Sequence, residues 1–502
     1  MPGKYNVRLE PPGKNLKASA GTPVADLLLE FGIEFPCGGK GTCLNCKVRI
    51  LKGDMGIQEE YRTLLTQKGF DMEWRLACKS FINQDVTLEV FPSCELILAD
   101  NTSFPFTPAY GFGIAIDLGT TSLVLQLIDL STGQVIDAIT EVNKQYRYGA
   151  DILSRVGYAL DPAGLSKLSQ TVREQLWKII RSIMAKHDRV PRKIILVGNT
   201  VMHHLFSGME VDSLAHFPFT SEGGGKKSFT ASELGWSLPD QTQISFMPAI
   251  GGFVGSDVLA GLLATEMDTS DDLTVFIDLG TNGEVAVGNR NQILVASTAA
   301  GPAFEGMQIS QGMRAVTGAV SSVFQDGDKP GFHVIGNITP RGICGSGLMD
   351  AVAVLKAMDR ISESGRFIPH CAEIEIAPSV KLTQKDIYEF VLAKAAVSSG
   401  IHILLTLLKK SHKDVKKVFI AGSFGHFITV RHAIEVGLLE FPEEKIVKAG
   451  NTALIGAKML LFLNDREANR ILDITRHITL ESQPAFQDIF IQKMIIKKSD
   501  LG

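Results

Sequence analysis

The sequence has little excess charge of either sign: 50 Lys and Arg against 54 Asp and Glu leave −4 over 502 residues. That balance gives no electrostatic footprint for nucleic acid, which asks for a basic face. Long apolar runs are scarce too. Stretches such as residues 401–408 fall far short of the roughly 20 residues that span a bilayer, so no membrane partner is expected. The opening MPGKYNVRLEPPGKN lacks the apolar core of a secretory signal, and the expected location is cytoplasmic. Cysteine is sparse, and four of the seven, Cys37, Cys43, Cys46 and Cys78, fall in the first 80 residues. In a reducing compartment, clustered cysteines hold metal more often than they form disulfides. The strays Cys94, Cys344 and Cys371 are expected to be buried or idle thiols.

A chain of this length is expected to form two to four domains. Residues 5–10, 47–51 and 86–91 alternate apolar and polar, as half-buried strands do. Residues 23–32 read as a short helix, with Leu27, Leu28 and Phe31 on one side. The text then turns loop-like, with Pro92, Pro105 and Pro108. These features delimit a first domain at 1–95 and a linker at 96–110. Beyond it the pattern is α/β, over 111–465. Strands are expected at 113–117, 123–130, 135–140, 193–197, 275–278 and 418–421. Helices are expected at 166–186, 257–265 and 384–409, the first carrying Leu168, Val172, Leu176, Ile179 and Ile183 on one face. Residues 466–502 form a tail with one strand-like run, expected to pack on that domain and assigned no chemistry. Ile-Asp-Leu-Gly-Thr occurs twice, at 116–120 and 277–281, each time after an apolar strand. Such repetition predicts two related halves.

Cys37-Gly38-Gly39-Lys40-Gly41-Thr42-Cys43-Leu44-Asn45-Cys46 places five residues in its first gap and two in its second, and Cys78 stands alone. Four thiolates complete one 2Fe–2S cluster. Structural zinc also takes four, usually as two short pairs, so the wide glycine-rich gap favours the cluster. Gly38, Gly39 and Gly41 let the loop close around inorganic sulfide and turn N–H groups toward it. The segment resembles the plant- and adrenodoxin-type ferredoxins, and its spacing fits the adrenodoxin-like branch. The resemblance implies a one-electron carrier.

At the first repeat, Gly119 lets a hairpin turn tightly against an anion, and Thr120, Thr121 and Ser122 offer donors to phosphate oxygens. Asp117, at the strand end, suits Mg²⁺ held through water. The second repeat, Asp278-Leu279-Gly280-Thr281-Asn282-Gly283-Glu284, offers a facing loop, so that two loops grip a polyphosphate from both sides. Glu284 can orient or deprotonate an attacking water, or serve as an ordinary salt-bridge partner. The pair of loops resembles the acetate and sugar kinase, heat-shock chaperone and actin superfamily. By that resemblance Gly422-Ser423-Phe424-Gly425 is the adenosine turn. Gly251–Asp257 runs into the first connecting helix, and Asn451–Ala457 lies on the second. The two lobes are expected to hinge near 255–270 and 440–460. Glycine-rich segments at 197–204, 299–306, 312–315 and 342–347 either line a cleft, bind the partner or make tight turns; His203 and His204 are expected to be structural or surface residues.

Together with Gly-Asn-Thr-Val-Met-His-His at 198–204 and Ala-Gly-Pro-Ala-Phe-Glu-Gly at 300–306, this combination resembles the reductive activators of corrinoid proteins. The resemblance implies an α/β chain: a β-grasp-like ferredoxin domain, then a two-lobed actin-like ATPase domain of duplicated ribonuclease-H-like halves. It implies a 2Fe–2S cluster, ATP and Mg²⁺ as cofactors. It also implies one-electron delivery to the cob(II)amide of a corrinoid protein in a methyltransferase system, fed by an external low-potential donor. A second copy of the chain stays open as a partner. Two competing readings are a small-molecule kinase with a redox-sensing cluster and a nucleotide-gated chaperone module with a structural one.

Overall fold

The computed structural model describes residues 4–498 except 11–12, 29–40, 42–45, 68–69, 91–103, 150, 218, 281–282, 299 and 307. The first domain is a five-stranded mixed sheet. It contains β1 (Lys4–Glu10), β2 (Lys14–Ser19), β3 (Thr22–Pro23), α1 (Val24–Leu28), β4 (Lys47–Lys52), α2 (Glu59–Gln67), β5 (Trp74–Leu76), β6 (Phe81–Ile82) and β7 (Val86–Glu89). The sheet order is β2-β1-β7-β4-β5, with β1 and β7 parallel. Strand alternation sends Val7, Leu9, Val48, Val86 and Leu88 into a small core. The helix expected at 23–32 is α1 in its described part; residues 29–32 lie outside the described residues.

The first lobe follows: β8 (Phe112–Leu118), β9 (Ser122–Asp129), β10 (Val135–Val142), α3 (Ile152–Ala159), α4 (Pro162–His187), β11 (Pro191–Gly198), α5 (Thr200–Ser207), α6 (Asp212–Ala215), β12 (Lys227–Phe229) and β13 (Gln243–Phe246). Helix α7 (Ser256–Ala264) leads to the second lobe. There β14 (Thr274–Leu279), β15 (Gly283–Asn289), β16 (Gln292–Thr298), β17 (Ala319–Asp326), β18 (Lys329–Val334), β19 (Gly342–Ile343), α8 (Gly345–Ala357), β20 (Glu373–Ala377), β21 (Val380–Thr383), α9 (Gln384–Leu407), β22 (Lys417–Ala421), α10 (Gly422–Phe427), α11 (Val430–Glu435) and β23 (Ile446–Gly450) precede α12 (Thr452–Leu460). The chain closes with α13 (Asp465–Ile474), β24 (Thr475–His477) and α14 (Phe486–Lys493).

The lobes repeat one design. In the first, the order is β10-β9-β8-β11-β13; in the second, β16-β15-β14-β22-β23. Each begins with an antiparallel meander, and its first strand then pairs in parallel with a later strand, β8 with β11 and β14 with β22. β8 and β14 are almost continuously apolar because they are covered on both faces. Helix α4 starts from an Asp161 cap with Pro162 in its first turn, and Leu168, Val172, Leu176, Ile179 and Ile183 are buried on its inner face. Helix α9 opens with a Thr383–Asp386 capping box. It is long and apolar enough to cross a membrane, but most of that stretch is buried inside the second lobe.

Between the lobes, α7 and α12 pack face to face and share a core with Ala115, Phe276 and Ala421. Gly456 makes their crossing close: a Cβ there would sit 2.1 Å from the carbonyl of Ala260. These helices occupy the two regions expected to hinge. The 466–502 segment holds more structure than its one expected strand. β24 extends the second sheet beside β16, and α14 lies on α9. Its buried anchors Ile471, Ile478, Leu480 and Ile496 are too widely spaced to print a helical period. At 418–425 the expected strand and glycine turn is β22 running directly into α10, with Gly422 at φ +85°.

Candidate functional site

The cleft floor is built by the ends of three central elements. Asp117 lies near the end of β8, Asp278 near the end of β14, and Asp257 stands in the first turn of α7. Glu284, on β15, is paired with Asp278 across the ladder. The four carboxyls are buried and lie close enough to act on one another electrostatically. Burial pushes Asp117 up to about 6, although a hydrogen bond from Asn451 Nδ2 to Oδ2 at 3.0 Å works the other way. Asp278 rises to about 7 through burial and the charge of Asp117. Asp257 rises to about 7 through burial and then Asp278. Glu284 is raised well above the carboxylate range, by burial first and then by Asp257 and Asp278. Mutually repelling oxygen donors are a fitting environment for a hard divalent cation. Among the described residues no three His, Cys, Asp or Glu side chains converge as a direct ligand set.

The two repeat loops meet at this floor. Gly119 N–H donates to Ser122 O at 2.9 Å, closing the first hairpin, and a Cβ on Gly119 would sit 2.7 Å from that oxygen. Thr120 Oγ1 accepts from Asn199 Nδ2 at 2.9 Å, and Thr121 Oγ1 accepts from Arg314 Nη2 at 2.9 Å. In the second loop Gly280 and Gly283 flank Thr281 and Asn282, which lie outside the described residues. Gly422 abuts the same loop: a Cβ there would stand 2.4 Å from Asp278 Oδ1. Gly425 packs on Ile420. The Phe424 ring turns inward and stacks on Phe304 at 4.9 Å, so of this residue only the main chain is left for a ligand. Asn199, Asp257, Arg314 and Asn451 stand inside motifs legible in the sequence, yet nothing in residue type alone marked them. His203 and His204 are buried in the first lobe, His203 against Phe246.

In the first domain, Cys46 and Cys78 approach with Sγ atoms 3.3 Å apart, too long for a disulfide and consistent with two thiols aimed at one centre. Ala77 N–H on Cys46 O fixes the two segments together at 2.9 Å. Gly41 has φ +83°, and a Cβ there would strike the Tyr61 ring at 2.7 Å. Cys37, Cys43, Gly38 and Gly39 lie outside the described residues, as does Cys94. Cys344 is buried at the start of α8, 3.3 Å from Ser346 Oγ.

One segment joins the two sites. Asn143 N–H donates to Thr121 O at 2.8 Å, and its Nδ2 donates to Gly119 O at 2.9 Å. Three residues on, Tyr146 is buried in the core of the first domain, and Arg147 pairs with Asp26 of α1 at 3.3 Å. From the second lobe, Arg341 reaches Glu89 at 3.4 Å. The first domain therefore touches both lobes.

Known proteins align with this arrangement along the chain. Residues 7–83 match the 2Fe-2S iron-sulfur cluster binding domain, 112–270 the RACo middle region, and 272–502 the C-terminal domain of RACo, the ASKHA domain. Corrinoid activation enzyme RamQ of Eubacterium limosum is 35% identical over 445 residues, covering 80% of this chain and 74% of the relative. The [Co(II) methylated amine-specific corrinoid protein] reductase of Methanosarcina barkeri is 26% identical, covering 74% and 73%. A solved reductive activator for corrinoid, iron-sulfur protein superposes with a TM-score of 0.68 at 26% identity, covering 99% of both chains. With its ferredoxin domain, its paired Asp-Leu-Gly-Thr repeats and this extent of likeness, the chain belongs to the RACo family of corrinoid-protein activators.

Proposed function

We propose that the protein is an ATP-dependent reductive activator. It delivers one electron to the cob(II)amide of a corrinoid protein in a methyl-transfer system, restoring cob(I)amide, and couples delivery to ATP hydrolysis between its lobes. An external low-potential donor reloads it, in the cytoplasm. In this reading Cys37, Cys43, Cys46 and Cys78 hold a 2Fe–2S cluster, which supplies single-electron storage at a potential near −400 mV in plant-type ferredoxins. Gly119, Thr120, Thr121 and Ser122 receive phosphate oxygens from one side, and Gly280, Thr281, Asn282 and Gly283 from the other. The turn Gly422-Ser423-Phe424-Gly425 receives the adenosine through its main chain. Asp117 and Asp278 would hold Mg²⁺, which would supply charge neutralisation to the phosphates. Glu284 takes the proton of the attacking water, and its raised carboxyl is a strong base once ionised.

The observation that carries the coupling is the Asn143–Arg147 connection between the phosphate hairpin and the ferredoxin domain. Each 100 mV of uphill transfer costs about 2.3 kcal/mol. ATP assists only by favouring an arrangement in which the acceptor is easier to reduce. A hairpin that shifts with the terminal phosphate moves Asn143, and with it the surface on which the ferredoxin domain rests. The test is anaerobic: reduced protein, a cob(II)amide protein of a methyltransferase system, and Mg·ATP, followed by cob(I) absorption. Reduction at an equal rate and extent without ATP would refute the coupling.

A further inference from the structure

The segment Gly312-Met313-Arg314-Ala315 has no part in the function above. We propose that Arg314 is a catalytic arginine that reaches across the cleft from the second lobe, binds the terminal phosphate of ATP and stabilises the charge spread over it during transfer to water. The inference rests on the nucleotide site already assigned. Its first support is position. Arg314 belongs to the second lobe, yet its Nη2 donates to the hydroxyl of Thr121, at the tip of the first phosphate hairpin, at 2.9 Å. That contact sets the guanidinium against the hairpin assigned above to the phosphates, within hydrogen-bond reach of one of its hydroxyls.

The second support is rigidity. Met313 N–H donates to Ile343 O at 2.9 Å, Val316 N–H donates to Arg314 O at 2.8 Å, and Ile343 N–H donates to Gln311 O at 2.9 Å. A Cβ on Gly312 would overlap Gly306 O at 1.8 Å, so the loop lies flat on its neighbour. A charge held by such a frame needs no reorganisation during reaction.

The third support is charge. Asp117, Asp257, Asp278 and Glu284 share the cleft with a substrate of their own sign, and one divalent cation leaves much of that repulsion standing. Behind the hairpin, Arg155 is fully buried, its Nε donating to Gly149 O at 2.9 Å and its Nη2 without a hydrogen-bond partner. Burial draws Arg155 down to about 9 against the pull of Asp151, with repulsion from Arg314 a smaller contribution in the same direction as burial. An anion beside Arg314 relieves that repulsion.

In the step itself, the water oxygen bonds to the γ-phosphorus while its bond to the β,γ-bridging oxygen breaks. The electron pair leaves with ADP, and the water proton passes through Glu284 to solvent. Arg314 gives hydrogen bonds only and exchanges no electrons. Arg314→Ala and Arg314→Lys should be compared with the native holoprotein for ATP hydrolysis and for ADP retention with and without aluminium fluoride. The expected loss in kcat is about a thousandfold or more for Ala, with ADP affinity kept and the tightening by aluminium fluoride abolished. Lys, which keeps the charge and fold but not the planar fork, should still lose about tenfold or more. A kcat within tenfold of native in both variants, or a raised KM with kcat kept, would reduce Arg314 to an interlobe clasp. Native protein that binds no ADP would instead remove the nucleotide reading on which the inference stands.

Discussion

Asp278→Asn should make the nucleotide-free protein more stable at pH 8 and less responsive to nucleotide. In the folded protein, burial and Asp117 raise this carboxyl from 3.8 to about 7. About three pK units correspond to about 4 kcal/mol, but one edge of Asp278 opens to the cleft, and solvent there screens part of the effect, leaving about 2 kcal/mol. The sign follows from linkage. Between pH 4 and 7 the folded state binds more protons at this site than the unfolded state, so stability falls as pH rises through that window and then levels off. The variant has no such term. Its melting midpoint should match the native one near pH 4 and exceed it by several degrees at pH 8. Chains with several cores do not melt as one unit, so the transition to follow by calorimetry is the one that Mg·ADP shifts in the native protein. Added Mg·ADP should raise that transition in the native protein and barely move it in Asp278→Asn. Equal midpoints for both proteins at pH 8 would mean that the carboxyls do not repel one another as the cleft geometry requires.

Three further outcomes test other parts of the molecule. Cys78→Ser should lose the visible 2Fe–2S bands while ADP binding persists; retained bands would remove Cys78 from the ligand set. Asn451→Ser keeps a side chain able to cap α12, where Asn451 Oδ1 accepts from Leu454 N–H, but removes the donor that holds Asp117 down. The titration of Asp117 itself, followed by its carboxyl infrared band, should move to higher pH with helix content unchanged, and an unmoved band would make Asn451 a cap and nothing more. Arg147→Ala combined with Arg341→Ala should leave ATP hydrolysis near native, because such exposed or half-exposed pairs contribute about 0–1 kcal/mol each. ATP-stimulated cob(I) formation should fall by about fivefold or more; full stimulation in that variant would sever the link between ferredoxin-domain seating and nucleotide.

The strands and helices that position the site were legible because their side chains repeat at fixed intervals. The buried run of β8, the inner stripe of α4 and the twice-written Asp-Leu-Gly-Thr each carry their own signal within a few residues. The cysteine spacing does the same for the ferredoxin domain. The carboxyl cluster was legible only in part. Asp117, Asp278 and Glu284 stand in the repeats, whereas Asp257 joins them only because α7 begins beneath β14. Asn451 acts on Asp117 from 334 residues away, and Arg314 reaches Thr121 from 193 residues away. No local pattern encodes such pairs; they exist once two sheets of like topology have packed about α7 and α12.

The same distinction bears on coupling. Either domain, read by its own motif, is complete: one carries electrons and one binds nucleotide. What neither motif contains is the route between them, since Asn143 and Arg147 belong to a 3₁₀ turn of ordinary composition after β10. Their meaning is positional. Asn143 bonds the main chain of the phosphate hairpin at two points, and Arg147 stands on the helix that precedes the cluster loop. A hairpin displaced by the terminal phosphate would strain either those bonds or the present seat of the ferredoxin domain, because only two residues separate Asn143 from Tyr146 in its core. In the proposed function, the shortness of that connection, rather than the strength of any one contact in it, is what would make nucleotide state and ferredoxin placement a single equilibrium.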